Sequence, residues 1–137
     1  MSESDILEHL FSLYDRFWVI IQWWASISFS IIVVGYFAAA RLNGRVIGLL
    51  LFLYTVYTAY IAFLLVNIGQ VMDAFIASLH ALEKTGEALN AGTQVLISHP
   101  LTEPGQWLGL FAFVTTYLCC SGYLFFSYRK AKSEQDE

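Results

Sequence analysis

Histidine beside carboxylates is the first pattern that could carry chemistry. His80, Glu83 and Glu87 stand at i, i+3 and i+7, on one face of any helix that holds them. Imidazole nitrogen and carboxylate oxygen are ligands for a divalent metal. The set is thin, however: one histidine and two acids that water would solvate. His9 and His99 stand on other segments. Plain surface residues are the expectation, with a metal ion and a pH-sensing contact as the alternatives. Cys119 and Cys120 are adjacent, so on a helix they point about 100° apart and pair poorly. They read as small apolar packing residues. The chain has no H-x-x-E-H pairing, no glycine-rich phosphate loop and no Ser-His-Asp arrangement. Neither an enzymatic activity nor a cofactor is expected, and no nucleic-acid partner.

A second set of polar residues lies inside apolar runs. Gln22, Ser26 and Ser30 fall at i, i+4 and i+8, one drifting helical face, while Ser28 points elsewhere. Gln22 lies about five residues, or roughly 7–8 Å, inside its run, level with Trp23 and Trp24. It reads as interface chemistry. Thr55 and Thr58 accompany Tyr54, Tyr57 and Tyr60 in a second run; Gly109, Ala112 and Thr116 form a small-residue stripe in a third. Gly44/Gly48 and Gly105/Gly109 match G-x-x-x-G at the ends of these runs. Two readings stay open. The residues are helix-packing faces, because small and hydroxyl side chains permit close approach in lipid. Or they line a pore between copies, since three helices do not enclose a conduit alone.

The elements that must position these residues follow from composition. The chain has 137 residues, of which 58% are hydrophobic and 13% charged, and a mean hydropathy of +0.60. Soluble domains carry about 25% charged residues. Between Arg16 and Arg41 lie 24 uncharged residues, between Arg45 and Asp73 27, and between Glu103 and Arg129 25. About 20 apolar residues of helix cross a bilayer core. Spans are expected at 17–40, 46–68 and 107–128. Residues 1–16 before the first span are acidic and the apolar run is long, which argues against a cleaved signal peptide.

Two further helices are expected outside the spans. In residues 1–16, Ile6, Leu10, Leu13 and Phe17 are spaced 4-3-4, and Ser2 with Asp5 suggests a capping box. Nothing breaks this helix before the first span. In 70–90, Met72, Phe75, Leu79, Leu82 and Leu89 have heptad-like spacing. This segment carries one lysine against three acids, so a partner helix suits it better than a membrane surface. The N-terminal helix is a candidate for that partner. Span two and this segment form either one rod or two rods bent near Gly69. "LNG" at 42–44 is expected to be a tight turn with Gly44 left-handed. Residues 91–105 read as a loop or a short partly buried segment, and 129–137 as a charged tail.

Five of the seven bases fall in the 41–45 hairpin and the tail. The positive-inside rule puts both in the cytoplasm and the N-terminus outside. Trp18, Trp23, Trp24 and Trp107 then all sit at outer span ends, where tryptophan prefers to lie. The expected outer side has a net charge of −6 and the inner side +2. This layout resembles that of some phage holins in topology, although the acidic end "SEQDE" departs from their strongly basic tails. The expected fold is all-α: an integral protein of the cell inner membrane with three transmembrane helices and an amphipathic extramembrane extension. Its partners would be the lipid bilayer and either further copies or other membrane subunits. The first functional expectation is a homo-oligomeric channel or pore that prefers cations, drawn to the acidic face. The alternative is a non-conducting structural or accessory subunit.

Overall fold

A computed structural model describes residues 2–39, 41–84, 89–98 and 103–134, with side chains in the last segment from 108 onward. The described residues form four helices: α1 (Glu3–Phe37), α2 (Gly44–Lys84), α3 (Ala91–Ser98) and α4 (Glu103–Ser133). Three of them, α1, α2 and α4, are long and apolar enough to cross a membrane. Large apolar side chains such as Phe29, Phe52, Phe63 and Phe111 stand exposed along these helices. That surface suits lipid and would be a liability in water.

The start of α1 is capped at both levels. Ser2 Oγ accepts the Asp5 N–H at 3.3 Å, and an Asp5 carboxylate oxygen accepts the Ser2 N–H at 3.0 Å. The hydrogen bond from the Ser2 backbone, with that of its side chain, holds the Asp5 carboxyl below the ordinary aspartate value. A depressed native pKa stabilises the fold at pH above the unfolded value of about 3.9. That contribution is lost as the pH falls through the lower native value. Amide exchange in the first turn of α1 is expected to accelerate below about pH 4, and Asp5→Asn to remove the pH dependence. An unchanged profile in the variant would contradict this.

α1 and α2 run antiparallel over their whole length. Trp24 meets Thr58 and Ser28 meets Tyr54, four residues on in one helix and four back in the other. On α2 the contact seam is regular. From Ile47 through Leu51, Tyr54, Thr58, Ile61, Leu65, Ile68, Met72, Phe75 and Leu79 to Leu82, every position is buried or half-buried. The spacing alternates strictly between four and three. This is the 3.5-residue period that keeps one stripe facing a neighbouring helix. α1 answers with Ile6, Leu10, Leu13 and Phe17, then Trp24, Ser28, Ile31 and Gly35.

The regular seam explains why α2 is one rod. Gly69 lies inside the helix with nothing within 4 Å of where a Cβ would stand. Of the two expected arrangements, one rod or two bent near Gly69, the first is found as a single continuous helix, and the seam passes Gly69 without a break. At about 1.5 Å per residue α2 is about 60 Å long, twice a bilayer core of about 30 Å. With α2 across a bilayer, the far half would project beyond the core as a head. There Ile6 of α1, Leu79 of α2, Leu89 and Ile97 form a buried cluster flanked by Leu7, Phe75, Leu82 and Leu96. α2 is described to Lys84, and Leu89 and Asn90, at the end of the expected 70–90 helix, lie outside any helix. Residues 91–105, expected as a loop or a short partly buried segment, contain α3, with Thr93 and Ile97 buried, and the beginning of α4.

Glu3 fastens α3 to this head. Its carboxylate oxygen accepts the Asn90 N–H at 3.1 Å and the Thr93 hydroxyl. At the other end, α4 runs parallel to α1 and packs closely against it. Trp24 stacks on Phe113 with ring centroids 4.2 Å apart, and Gly35 meets Tyr123 and Leu124. Leu124, fully buried, joins Ile31, Ile47, Tyr54 and Cys120 in the second cluster. α4 continues to Ser133, so most of the charged tail is helical. The 38–43 turn is also built differently from expectation. Gly44 is not left-handed; it opens α2, with Asn43 Oδ1 accepting the Val46 N–H at 3.0 Å. Gly44 is small for a different reason: a Cβ there would lie 2.8 Å from the Tyr128 hydroxyl.

Candidate functional site: the polar seam of the helix bundle

Most of the described hydroxyl residues of the apolar helices fall into two groups, while Tyr57 Oη and Ser121 Oγ are buried without a hydrogen-bond partner. One group bridges helices. Trp24 Nε1 donates to Thr58 Oγ1 at 3.3 Å, and both residues are buried. Ser28 Oγ and Tyr54 Oη lie 2.8 Å apart, while the Ser28 hydroxyl also reaches the Trp24 carbonyl oxygen at 2.9 Å. Thr55, though exposed, also bridges: its Oγ1 lies 2.6 Å from Tyr117 Oη, joining α2 to α4, and donates to the Leu51 carbonyl oxygen at 2.8 Å. The Tyr54 and Tyr117 rings lie 5.4 Å apart. The three helices thus share one polar ladder. It is built from hydroxyls and one indole N–H, with no formal charge. In an apolar medium each such group needs a partner, and a neighbouring helix supplies it.

The outward group behaves differently. Gln22, Ser26 and Ser30 are all exposed, on the side of α1 opposite its seam. Ser26 donates to the Gln22 carbonyl oxygen and Ser30 to that of Ser26, each at 2.9 Å. A serine that bonds back one turn has met its own demand without a neighbour. Gly109 and Ala112 are also exposed, Thr116 half-exposed, and nothing lies within 4 Å of a Cβ at Gly109 or Gly48. The candidate face therefore separates: Thr55 and Thr58 lie in helix contacts, whereas Gln22, Ser26, Ser30 and Gly109 do not. No family model, curated protein or solved structure matches this chain. The functional reading accordingly rests on these contacts.

Two buried residues were hidden from the spacing argument. Ser28 is 3% exposed, although it stands off the Gln22–Ser26–Ser30 line. Gly35 belongs to no G-x-x-x-G match, yet among the described glycines it is the one whose Cβ would meet the backbone of another helix: it would lie 3.0 Å from Tyr123 Cε1 and 3.5 Å from Leu124 Cα. The heptad of α1 is the signal that finds both, since it reads Trp24, Ser28, Ile31 and Gly35 in steps of four, three and four. Trp24 is a further correction. It is 7% exposed and belongs to the interior, while Trp18 and Trp23 are exposed as an interface would have them. The side chain of Trp107 lies outside the described residues, as does Gly105.

The assembly seam lies within the chain. Met72 and Leu79 are buried, and Phe75 and Leu82 half-buried, by α1, Leu89 and α3. The partner of this seam is the chain's own N-terminal helix. Of the histidines, His80 Nδ1 lies 3.8 Å from a Glu83 carboxylate oxygen, both exposed. His9 Nδ1 lies 2.8 Å from the Asp5 carbonyl oxygen, with its ring 5.9 Å from that of Phe75. Glu87 and His99 lie outside the described residues. Among the described residues no three of His, Cys, Asp or Glu come together as a metal set. Cys120 is buried in the cluster around Leu124 and Cys119 is exposed; both are free thiols.

The inward ladder makes a quantitative prediction. Hydrogen bonds between transmembrane helices couple by about 0.6 kcal/mol on average, with a maximum near 1.7. A double-mutant cycle of Ser28→Ala and Tyr54→Phe, read from unfolding in micelles, is expected to fall near the upper end. Both groups are buried and their separation is short. A coupling of zero would remove the Ser28–Tyr54 bond from the account.

Proposed function

We propose that this chain is a non-conducting structural or accessory subunit of a membrane assembly. It holds a rigid head beyond the bilayer on an antiparallel α1–α2 coil. The observation that carries this reading is the fate of the hydroxyls. Ser28, Tyr54, Thr55, Thr58 and Tyr117 are spent on helix-to-helix contacts, and Ser26 and Ser30 are satisfied by their own backbone. The membrane reading rests on the three apolar helices. The positive-inside rule would place the head outside the cytoplasm, with the 38–43 turn and the end of α4 within it. A cell inner membrane fits that arrangement.

One observation favours a channel as the second reading. Gln22, Ser26 and Ser30 share an exposed face that copies of the chain could turn toward one another. A homo-oligomer would then line a conduit with them. Cation flux into liposomes separates the two. The structural subunit is expected to give no flux above empty vesicles, and Ser26→Leu with Ser30→Leu no change. Flux that disappears in the double variant would establish the channel instead. The mass of the detergent-solubilised particle is the companion measurement, because a conduit of this kind needs several copies.

A further inference from the structure

A cavity at the turn end of the bundle belongs to none of these contacts. Its volume is about 300 Å³. Arg41 and Lys132 bring two cations to its lining and Tyr128 a phenol hydroxyl. Asn43 and Gly44 bring the start of the 41-residue helix α2 to the lining, with the Val46 and Ile47 N–H groups already accepted by Asn43. Ala39 and Leu42 supply an apolar wall. Among the described residues no acidic side chain lines it. Two neighbouring bases are engaged elsewhere: the Arg129 guanidinium lies 5.8 Å from the centroid of the Phe125 ring, and Lys130 Nζ 4.0 Å from a Glu134 carboxylate oxygen.

The position of this cavity matters as much as its charge. Arg41 ends the first uncharged run of the sequence, and Arg129 ends the third. The cavity therefore lies where apolar helix surface gives way to charge, at the depth of bilayer head groups. Tyr36, Phe37 and Phe126, all exposed, surround the same end with apolar surface that acyl chains would cover.

We propose that this cavity binds the phosphate of an anionic phospholipid head group between Arg41 and Lys132. Arginine and lysine donors recognise phosphate oxygens by charge-assisted hydrogen bonds, and the α2 N-terminus adds its positive end. Basic pockets between membrane helices are suited to such head groups. The apolar wall and the exposed aromatics favour a lipid over a free anion, because they offer the acyl chains a surface. This inference rests on the membrane reading and is independent of the choice between subunit and channel.

Native mass spectrometry of the full chain from micelles containing phosphatidylcholine and phosphatidylglycerol tests it. One phosphatidylglycerol molecule is expected to be retained about 30-fold in preference to phosphatidylcholine, the selectivity that two basic contacts of ordinary strength supply. Arg41→Gln with Lys132→Gln is expected to abolish that preference. Arg129→Gln with Lys130→Gln, also exposed bases at the same end, is expected to keep it. Equal retention of both lipids by the wild type overturns the proposal, as does equal loss in both variant pairs. Millimolar inorganic phosphate should leave the lipid bound; release by phosphate would reassign the cavity to a free anion.

Discussion

Leu79→Asp is expected to unpack the head while α1, α2 and α4 remain inserted. Leu79 is fully buried between Ile6, Leu89 and Ile97. Removing a buried leucine side chain costs about 2–5 kcal/mol. Placing a carboxylate in the gap adds the cost of desolvating a charge that has no partner there. The sum is at least about 4 kcal/mol, and every 1.4 kcal/mol is a factor of ten. Amide protection in 3–16, 72–84 and 91–98 is expected to fall by about three orders of magnitude. The protection of 24–35 should hold, since that stretch of α1 is secured by α4. Val95→Asp is the matched control. Val95 is 63% exposed on α3, in the same head, and its change should leave protection as it was. Intact protection in Leu79→Asp would mean that this seam does not hold the head together.

The second large effect lies at the other end of α1. Gly35→Leu should separate α4 from α1. Alanine at this position needs the Tyr123 ring to move by a few tenths of an ångström, because its Cβ would lie 3.0 Å from Tyr123 Cε1. Leucine adds three more carbons toward the Leu124 backbone, which cannot turn aside. Overpacking typically costs about 1–3 kcal/mol, and this contact belongs at the high end because backbone is the obstacle. Unfolding in micelles is expected to show a loss of about 3 kcal/mol for leucine and under about 1 kcal/mol for alanine. The Trp24–Phe113 stack should loosen with α4, changing the tryptophan fluorescence. Equal stability of the two variants would remove Gly35 as the point of closest approach.

In the proposed membrane placement these two predictions differ in kind, because the seam would cross two solvents. In the head, water surrounds the helices, and burial of Ile6, Leu79 and Ile97 is driven by the apolar area removed from it. Between lipid-facing helices that drive is absent, since acyl chains are as apolar as leucine. Association there rests on close contact and hydrogen bonds. The residues follow this division along a single α2 seam. Phe75, Leu79 and Leu82 occupy it in the head; Tyr54 and Thr58 occupy it among the apolar helices, bonded to Ser28 and Trp24. Gly35 and the Ser28–Tyr54 pair do inside the bilayer what leucine does outside.

What was legible in the sequence is whatever depends on one helix at a time. Three uncharged runs longer than a bilayer requires mark the three spanning helices. The Ser2–Asp5 spacing marks the capped start of α1, and nothing from there to Phe37 breaks the helix. The 4-3 spacing from Met72 to Leu82 marks a face that needs a helical partner. The tertiary structure decided which faces meet. Period alone sets Gln22, Ser26 and Ser30 on one stripe, but it does not say which stripe points at a neighbour. The neighbours fall on the opposite side of the helix, on Trp24, Ser28, Ile31 and Gly35, so the most conspicuous serines turned outward and the isolated one became the interior contact. The same holds for the partner of Leu79. Its spacing calls for a helix, and only the antiparallel return of α2 along α1 supplies one from within the chain. Composition and local hydrogen bonding select helices and their lengths, because both act along one segment. Register between helices is a property of two surfaces at once, and it is settled where side-chain volumes and hydrogen-bond partners on both fit together.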